Sequence, residues 1–303
     1  MFASVWEERL PCTRVAPGTL PATAADYTVT VVAMDYTLRT VAEVAATWGP
    51  RAVALGATVN FVLDRDVELS PSVRAELERI GAVITILAGV DEGDDASGGV
   101  ASLPLRAIRY AATANPLSAW HVVVTDSTWL SLEEAVVATR FLDPRLPVLI
   151  GHIDTGRVRG RQPIYDGTSV FATRPAAAAG VILSAAGARE VAIAVLTPSC
   201  PWPSEREPLA QDWGMVLGRC AWTVGMPQLH STLMWPTSDH VFAKSWHFDR
   251  NDAALESLIT IAPYEAYTYL RSDGSVNDTL RSVDAALQSK YNASAFFSGG
   301  FFA

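Results

Sequence analysis

The sequence predicts an α/β fold with a mostly parallel central sheet flanked by helices. Two observations carry this. Strand-type and helix-type segments alternate through the first half of the chain, and the strand-type runs are rich in β-branched and other apolar residues. Tyr27 to Ala33 reads as the first strand, and Leu38 to Trp48 as a helix closed by Gly49-Pro50. Ala57 to Leu63 reads as the second strand, running into the acidic turn Asp64-Arg65-Asp66. Ser70-Pro71 supplies an N-cap and a proline at the first helical position, so a helix is expected to about Ile80, stopping at Gly81. Ala82 to Leu87 is then a third strand, and Asp91 to Gly99 an exposed Gly/Asp/Ser loop.

Leu103 to Ala114 reads as a helix and Trp120 to Val124 as a fully buried strand. Ser131-Leu-Glu-Glu134 has the form of a capping box opening a helix from Leu132 to about Phe141. Asp143-Pro144 turns the chain into a strand from Pro147 to Ile150. Beyond residue 151 the alternation becomes irregular, with prolines and tryptophans clustered between Pro198 and Trp246. Neither repeats nor a clear linker appear. The expected organisation is an N-terminal extension over 1–26 and one domain over 27–303. Its first half, 27–151, resembles nucleotide-binding units; its second, 152–303, completes the site.

Composition narrows the function. The chain has 303 residues, half of them hydrophobic and 18% charged, so a large core is available and wholesale disorder is excluded. The net charge is −9, which disfavours wrapping a polyanion and so argues against nucleic acid as a partner. No apolar run reaches the ~18–20 residues of a membrane span, and Met1 to Asp26 carries no signal-type stretch. Three cysteines, Cys12, Cys200 and Cys220, are too few for a disulfide scaffold and lack zinc spacing. No Gly-x-Gly-x-x-Gly follows the first strand, which speaks against a dinucleotide-binding enzyme.

Open α/β sheets bind ligands at the carboxyl ends of their strands. Asp35 follows the first strand, Asp64 and Asp66 the second, and Asp126 the fourth. A carboxylate there can hold a divalent cation or accept hydrogen bonds from ribose hydroxyls, or it can merely cap a turn. Of the five histidines, His121 lies within a buried strand and reads as a core residue, and His152 borders a strand end. His230 and His240 fall where they can shape late loops, and His247 is the best candidate for a metal ligand. Trp202, Trp213, Trp222, Trp235 and Trp246 offer faces for stacking on sugar rings, although core packing accounts for at least three of them. Trp129 reads as packing.

One set of segments is more specific. Trp120 leads a strand ending in Thr125-Asp126-Ser127-Thr128-Trp129, followed by Leu142-Asp143-Pro144 and Gly151. In order around it stand Ala46-Thr47-Trp48-Gly49, Phe61-Val-Leu-Asp64-Arg-Asp66, and Gly180-Val-Ile-Leu-Ser184. Cys200, Asp212 and Leu217-Gly218-Arg219-Cys220 come next, then Leu229-His230-Ser231 and Lys244-Ser-Trp-His247-Phe248. Together, over roughly residues 28–250, these resemble glycosyltransferase family 31, the fringe-like and β-1,3-galactosyltransferase family, especially its fungal and plant fringe-related members.

The resemblance implies a GT-A-type fold and an inverting transferase. Such an enzyme moves a hexose or N-acetylhexosamine from a UDP-sugar to a hydroxyl of a glycan or glycoprotein acceptor, in β-1,3 linkage. It places Asp64, Asp66, Thr125, Asp126 and Ser127 at the donor, where Asp35 falls by its own strand-end position, with Asp126 and His247 on Mn²⁺ and Asp212 as the general base. Two departures qualify it. Thr125 and Ser127 stand where the family's motif carries carboxylates, and a neutral hydroxyl is a weaker ligand for a hard cation. Asp126 then takes the metal with His247, or binding is weak, or the chain works without metal. A catalytically degenerate sugar- or nucleotide-binding relative is the alternative function. Asp212 is also displaced by about two residues from the motif, which makes Glu205 and Glu207 rival bases.

Cys200 and Cys220 match a pair that is bridged in related enzymes, and Asn277 and Asn292 begin N-glycosylation sequons. Both fit a secretory (Golgi) lumen, or secretion of a trimmed domain. The absence of an apolar anchor fits a cytoplasmic relative instead.

Overall fold

The computed structural model describes residues 23–33, 39–64, 68–87, 99–154, 174–195, 213–235, 259–261 and 284. Its centre is a seven-stranded sheet. The strands are β1 (Tyr27–Val32), β2 (Thr58–Asp64), β3 (Val83–Leu87), β4 (Trp120–Thr125), β6 (Leu149–Gly151), β9 (Val181–Ser184) and β10 (Gln228–His230). They lie in the order β10-β6-β9-β4-β1-β2-β3. β1, β2, β3 and β4 run parallel, as do β6 and β10, and β9 is antiparallel to both of its neighbours. The expected architecture, a mostly parallel sheet flanked by helices, is the observed one.

Every residue of β1 and β4 is buried, because helices cover both faces of the sheet. On one face Tyr27, Val29, Val31, Phe61 and Trp120 pack with Trp48, Leu77 and Trp129. On the other, Val32, Val62, Val123 and Leu183 pack with Leu105, Ile108, Val191 and Leu217. Each such fully buried aliphatic or phenyl side chain stabilises the fold by about 1.5–3 kcal/mol. The helices are α1 (Arg39–Ala46), α2 (Trp48–Ala54), α3 (Pro71–Arg79), α4 (Gly99–Ala114), α5 (Leu132–Thr139), α6 (Ala185–Ala194) and α7 (Trp213–Thr223).

Several local expectations hold. The Ser70 hydroxyl accepts from the Val73 amide, with Pro71 opening α3, and Gly81 at φ 80° releases the chain into β3. Others are corrected. Gly49-Pro50 does not close a helix: α1 ends at Ala46 and α2 begins at Trp48, so both residues sit in a new first turn. Proline is tolerated there because first-turn amides have no intrahelical acceptor. α4 starts at Gly99, four residues before Leu103, and contains Pro104. α5 ends at Thr139, leaving Phe141 exposed.

The capping box is half formed. Ser131 Oγ accepts from the Glu134 amide, but the Ser131 amide donates to the Ile259 carbonyl, 2.8 Å away, and not to Glu134. That bond joins α5 to a small sheet of β5 (Trp129–Leu130), β11 (Met234–Trp235) and β12 (Thr260–Ile261). A last pair, β7 (Ile153–Asp154) and β8 (Arg174–Pro175), leads back toward β9.

Candidate functional site

The carboxyl ends of the parallel strands form one edge. Across it lie Asp64 at the end of β2, the Thr125-Asp126-Ser127 turn after β4, Gly180 before the reversed β9, His152 after β6, and His230 at the end of β10. β10 stands three strands from β4, a lateral span of about 14 Å at ~4.8 Å per strand.

The β4 turn is the most built part of this edge. Asp126 is 1% exposed; its amide donates to the Val32 carbonyl at 3.1 Å and its Oδ2 accepts from the Thr40 hydroxyl of α1 at 2.5 Å. Thr125 Oγ1 lies 3.0 Å from Ser127 Oγ and 2.9 Å from Thr128 Oγ1. Thr128 in turn donates its hydroxyl to the Ala178 carbonyl at 3.0 Å. Thr128 is braced again through its own carbonyl, which accepts from the indole of Trp48 at 3.0 Å. Gly180 lets the chain entering β9 close on this turn. At φ 72°, a Cβ there would stand 2.7 Å from both the Val123 carbonyl oxygen and Val124 Cγ1.

Toward the outer strands, Asp64 is ion-paired with Arg106 Nη2 of α4 at 3.5 Å. Toward β10, two imidazoles meet edge to face with centroids 4.9 Å apart. His152 Nδ1 lies 3.0 Å from the Met234 carbonyl, which can only accept, so this nitrogen carries the hydrogen. His230 Nδ1 accepts from the Ile153 amide at 3.0 Å, so in the neutral ring the hydrogen sits on Nε2. His230 is exposed, and its Nε2–H is therefore a hydrogen-bond donor at the edge.

No protein-family model matches the chain, and no curated protein matches it. Among solved structures, a glycosyltransferase involved in the glycosylation of the major capsid of PBCV-1 aligns with a TM-score of 0.40 at 8% identity. The alignment covers 86% of this chain and 98% of that one.

The structure thus gathers Asp64, Thr125, Asp126 and Ser127 on one edge, as the sequence suggested, with His152 and His230 farther along it. Asp35, Asp66, Asp212, His240 and His247 lie outside the described residues, as do Cys12, Cys200, Trp202, Trp246 and both sequons. His121 is a core residue, 2% exposed, and burial, aided by the Arg189 cation, pushes its pKa down to about 4. Trp129 and Trp213 are buried and pack, whereas Trp222 is 57% exposed on α7. Cys220 is fully buried on α7.

Sequence reasoning missed Thr40 and Arg106. Thr40 carries one usable signal, since it falls just beyond the strand end that includes Asp35. Arg106 carries none, because only the packing of α4 against the sheet brings it to Asp64.

Among the described residues, no group of three or more His, Cys, Asp or Glu side chains could hold a metal. The described donors at the β4 turn, one carboxylate beside hydroxyls that bond one another, do not by themselves fit a hard cation seeking six or more oxygens. No helix among the described residues is long and apolar enough to cross a membrane.

Proposed function

We propose that the chain is an inverting glycosyltransferase of the fringe-like family 31. It moves a hexose or N-acetylhexosamine from a UDP-sugar to a glycan hydroxyl in β-1,3 linkage. The observation that carries this reading is spatial. Three segments of the resemblance, far apart in sequence, meet at the end of β4 and its turn: Trp48 bonds Thr128, Gly180 closes on Val123 and Val124, and Asp126 follows the strand at the sheet's carboxyl edge. Open α/β sheets hold ligands at that edge.

In this reading the β4 turn and Asp64, with Asp35 and Asp66, serve the donor, and residues 152–303 serve the acceptor. The attacking hydroxyl must lose its proton on the face opposite the departing UDP, which calls for a carboxylate base. Asp212, directly before α7, is the proposed base, with Glu205 and Glu207 as rivals. The Mn²⁺ that the resemblance implies would draw on Asp126 and His247. Because the described donors do not fit a hard cation, no step is routed through it. The Cys200–Cys220 bridge and a secretory location belong to the same proposal.

The test measures UDP release from a panel of UDP-sugars, with and without Mn²⁺, for the wild type and for Asp212→Asn, Glu205→Gln and Glu207→Gln. Turnover abolished by Asp212→Asn supports the reading. No turnover with any donor would sink it. UDP binding without turnover favours the second reading, a degenerate binding relative. That reading is motivated by the hydroxyls of Thr125 and Ser127 where the family's motif has carboxylates.

A further inference from the structure

The hydroxyls of the β4 turn form a chain whose direction is fixed at one end. A carbonyl oxygen has no hydrogen, so the Thr128–Ala178 bond uses the Thr128 proton. The contact between Thr125 and Thr128, at 2.9 Å, must then use the Thr125 proton. The contact between Thr125 and Ser127, at 3.0 Å, must use the Ser127 proton. Each hydroxyl has one proton, so the direction Ser127 to Thr125 to Thr128 to Ala178 is the only arrangement that satisfies all three contacts. Thr128 is wholly buried and Thr125 is 9% exposed, so water does not readily replace either link. Ser127, half-buried at the edge, is left with lone pairs to offer.

We infer that Ser127 meets its ligand only as a hydrogen-bond acceptor, so that the β4 turn selects a ribose or hexose hydroxyl and disfavours a phosphate oxygen. This rests on the nucleotide-sugar reading above and specifies one contact within it. A diphosphate at neutral pH offers oxygens without protons, and an acceptor facing an acceptor gives no bond. A sugar hydroxyl has a proton to give and fits. Thr125 and Thr128 act through Ser127 and are positioning residues. An aspartate in place of Ser127 would present only acceptors for a different reason, its charge. The chain of hydroxyls gives the same polarity without it.

Isothermal titration with UDP, 2′-deoxy-UDP, 3′-deoxy-UDP, a UDP-hexose and inorganic pyrophosphate tests this in the wild type, Ser127→Ala, Thr125→Val and Thr125→Ser. Ser127→Ala is expected to weaken binding about 3- to 10-fold, the worth of one neutral hydrogen bond. If ribose supplies the hydroxyl, UDP shows the loss and one deoxy-UDP shows no further loss in the variant. If the hexose supplies it, only the UDP-hexose shows the loss. Thr125→Val releases the Ser127 proton, so affinity for pyrophosphate should rise relative to UDP-hexose, and Thr125→Ser should restore the wild-type ratio. A merely structural role would weaken all probes together. Unchanged binding in Ser127→Ala, or an unchanged pyrophosphate ratio in Thr125→Val, overturns the inference alone. Failure of the wild type to bind any nucleotide probe overturns the functional reading and this with it.

Discussion

The indole of Trp48 donates from Nε1 to the carbonyl oxygen of Thr128, 3.0 Å away and 80 residues later in the chain. Both residues are buried, so the carbonyl has no ready substitute donor. Trp48→Phe keeps an aromatic ring in place and removes only the N–H and part of the volume. It should lower stability by about 1–3 kcal/mol, the cost of leaving a buried acceptor unmatched. Urea denaturation measures it. A change below about 0.5 kcal/mol would mean that Trp48 acts by packing alone.

Thr40 plays the corresponding part for Asp126. Its hydroxyl donates to Oδ2 at 2.5 Å from the first turn of α1, and both residues are nearly inaccessible. Thr40→Val is close to isosteric and deletes a hydrogen bond to a carboxylate, worth about 1.5–3 kcal/mol. Chemical denaturation at neutral pH should show that loss for Thr40→Val, and most of it should return in Thr40→Ser. Equal losses in both variants would assign the effect to the methyl group and not to the bond.

His121 makes stability depend on pH in a defined window. Burial, with a smaller contribution from the Arg189 cation, lowers its pKa from 6.5 to about 4, and its Nδ1 has no partner among the described residues. Between those values the unfolded chain binds the proton and the folded chain does not. Stability from this group is therefore complete above about pH 6.5 and is lost as pH falls toward 4. The full drop is about 3 kcal/mol at ~1.4 kcal/mol per pH unit. Guanidinium denaturation at several pH values from 7 to 4 should show the decline in the wild type and a shallower one in His121→Leu. Parallel pH profiles for the two proteins would remove His121 as the cause.

Much of the sheet is legible because strands covered on both faces must be apolar throughout, and Tyr27–Val32 and Trp120–Thr125 are nearly so. Asp126 is legible for a related reason, since a polar residue closing such a run marks a carboxyl end. The reversed direction of β9 is not legible. Gly180-Val-Ile-Leu-Ser184 reads the same whichever way it enters, and only its antiparallel pairing between β4 and β6 reveals the direction. Nor does local sequence reveal that Ile259 will take the Ser131 amide from Glu134, or that Thr40 will reach Asp126 across 86 residues. These are tertiary choices between competing partners, and spacing rules score only the local one.

Two glycines differ in both backbone strain and crowding. Gly225 has φ 67°, whereas Gly180 combines φ 72° with ψ −177°, a backbone region that essentially only glycine adopts, so an alanine at Gly180 also meets the larger backbone penalty. A Cβ at Gly225 meets nothing within 4 Å, while one at Gly180 would stand 2.7 Å from the Val123 carbonyl oxygen and from Val124 Cγ1. Relief at Gly180 requires moving the backbone that carries Ala178, the acceptor that ends the hydroxyl chain from Ser127. Gly180→Ala should therefore cost at least about 2 kcal/mol more than Gly225→Ala in urea denaturation, within the range of severe core substitutions. It should also weaken UDP-sugar binding, which Gly225→Ala should leave unchanged. Equal stability losses with equal binding would show that the entry to β9 yields without disturbing β4, and that the close approach at Gly180 does not set the geometry of the turn.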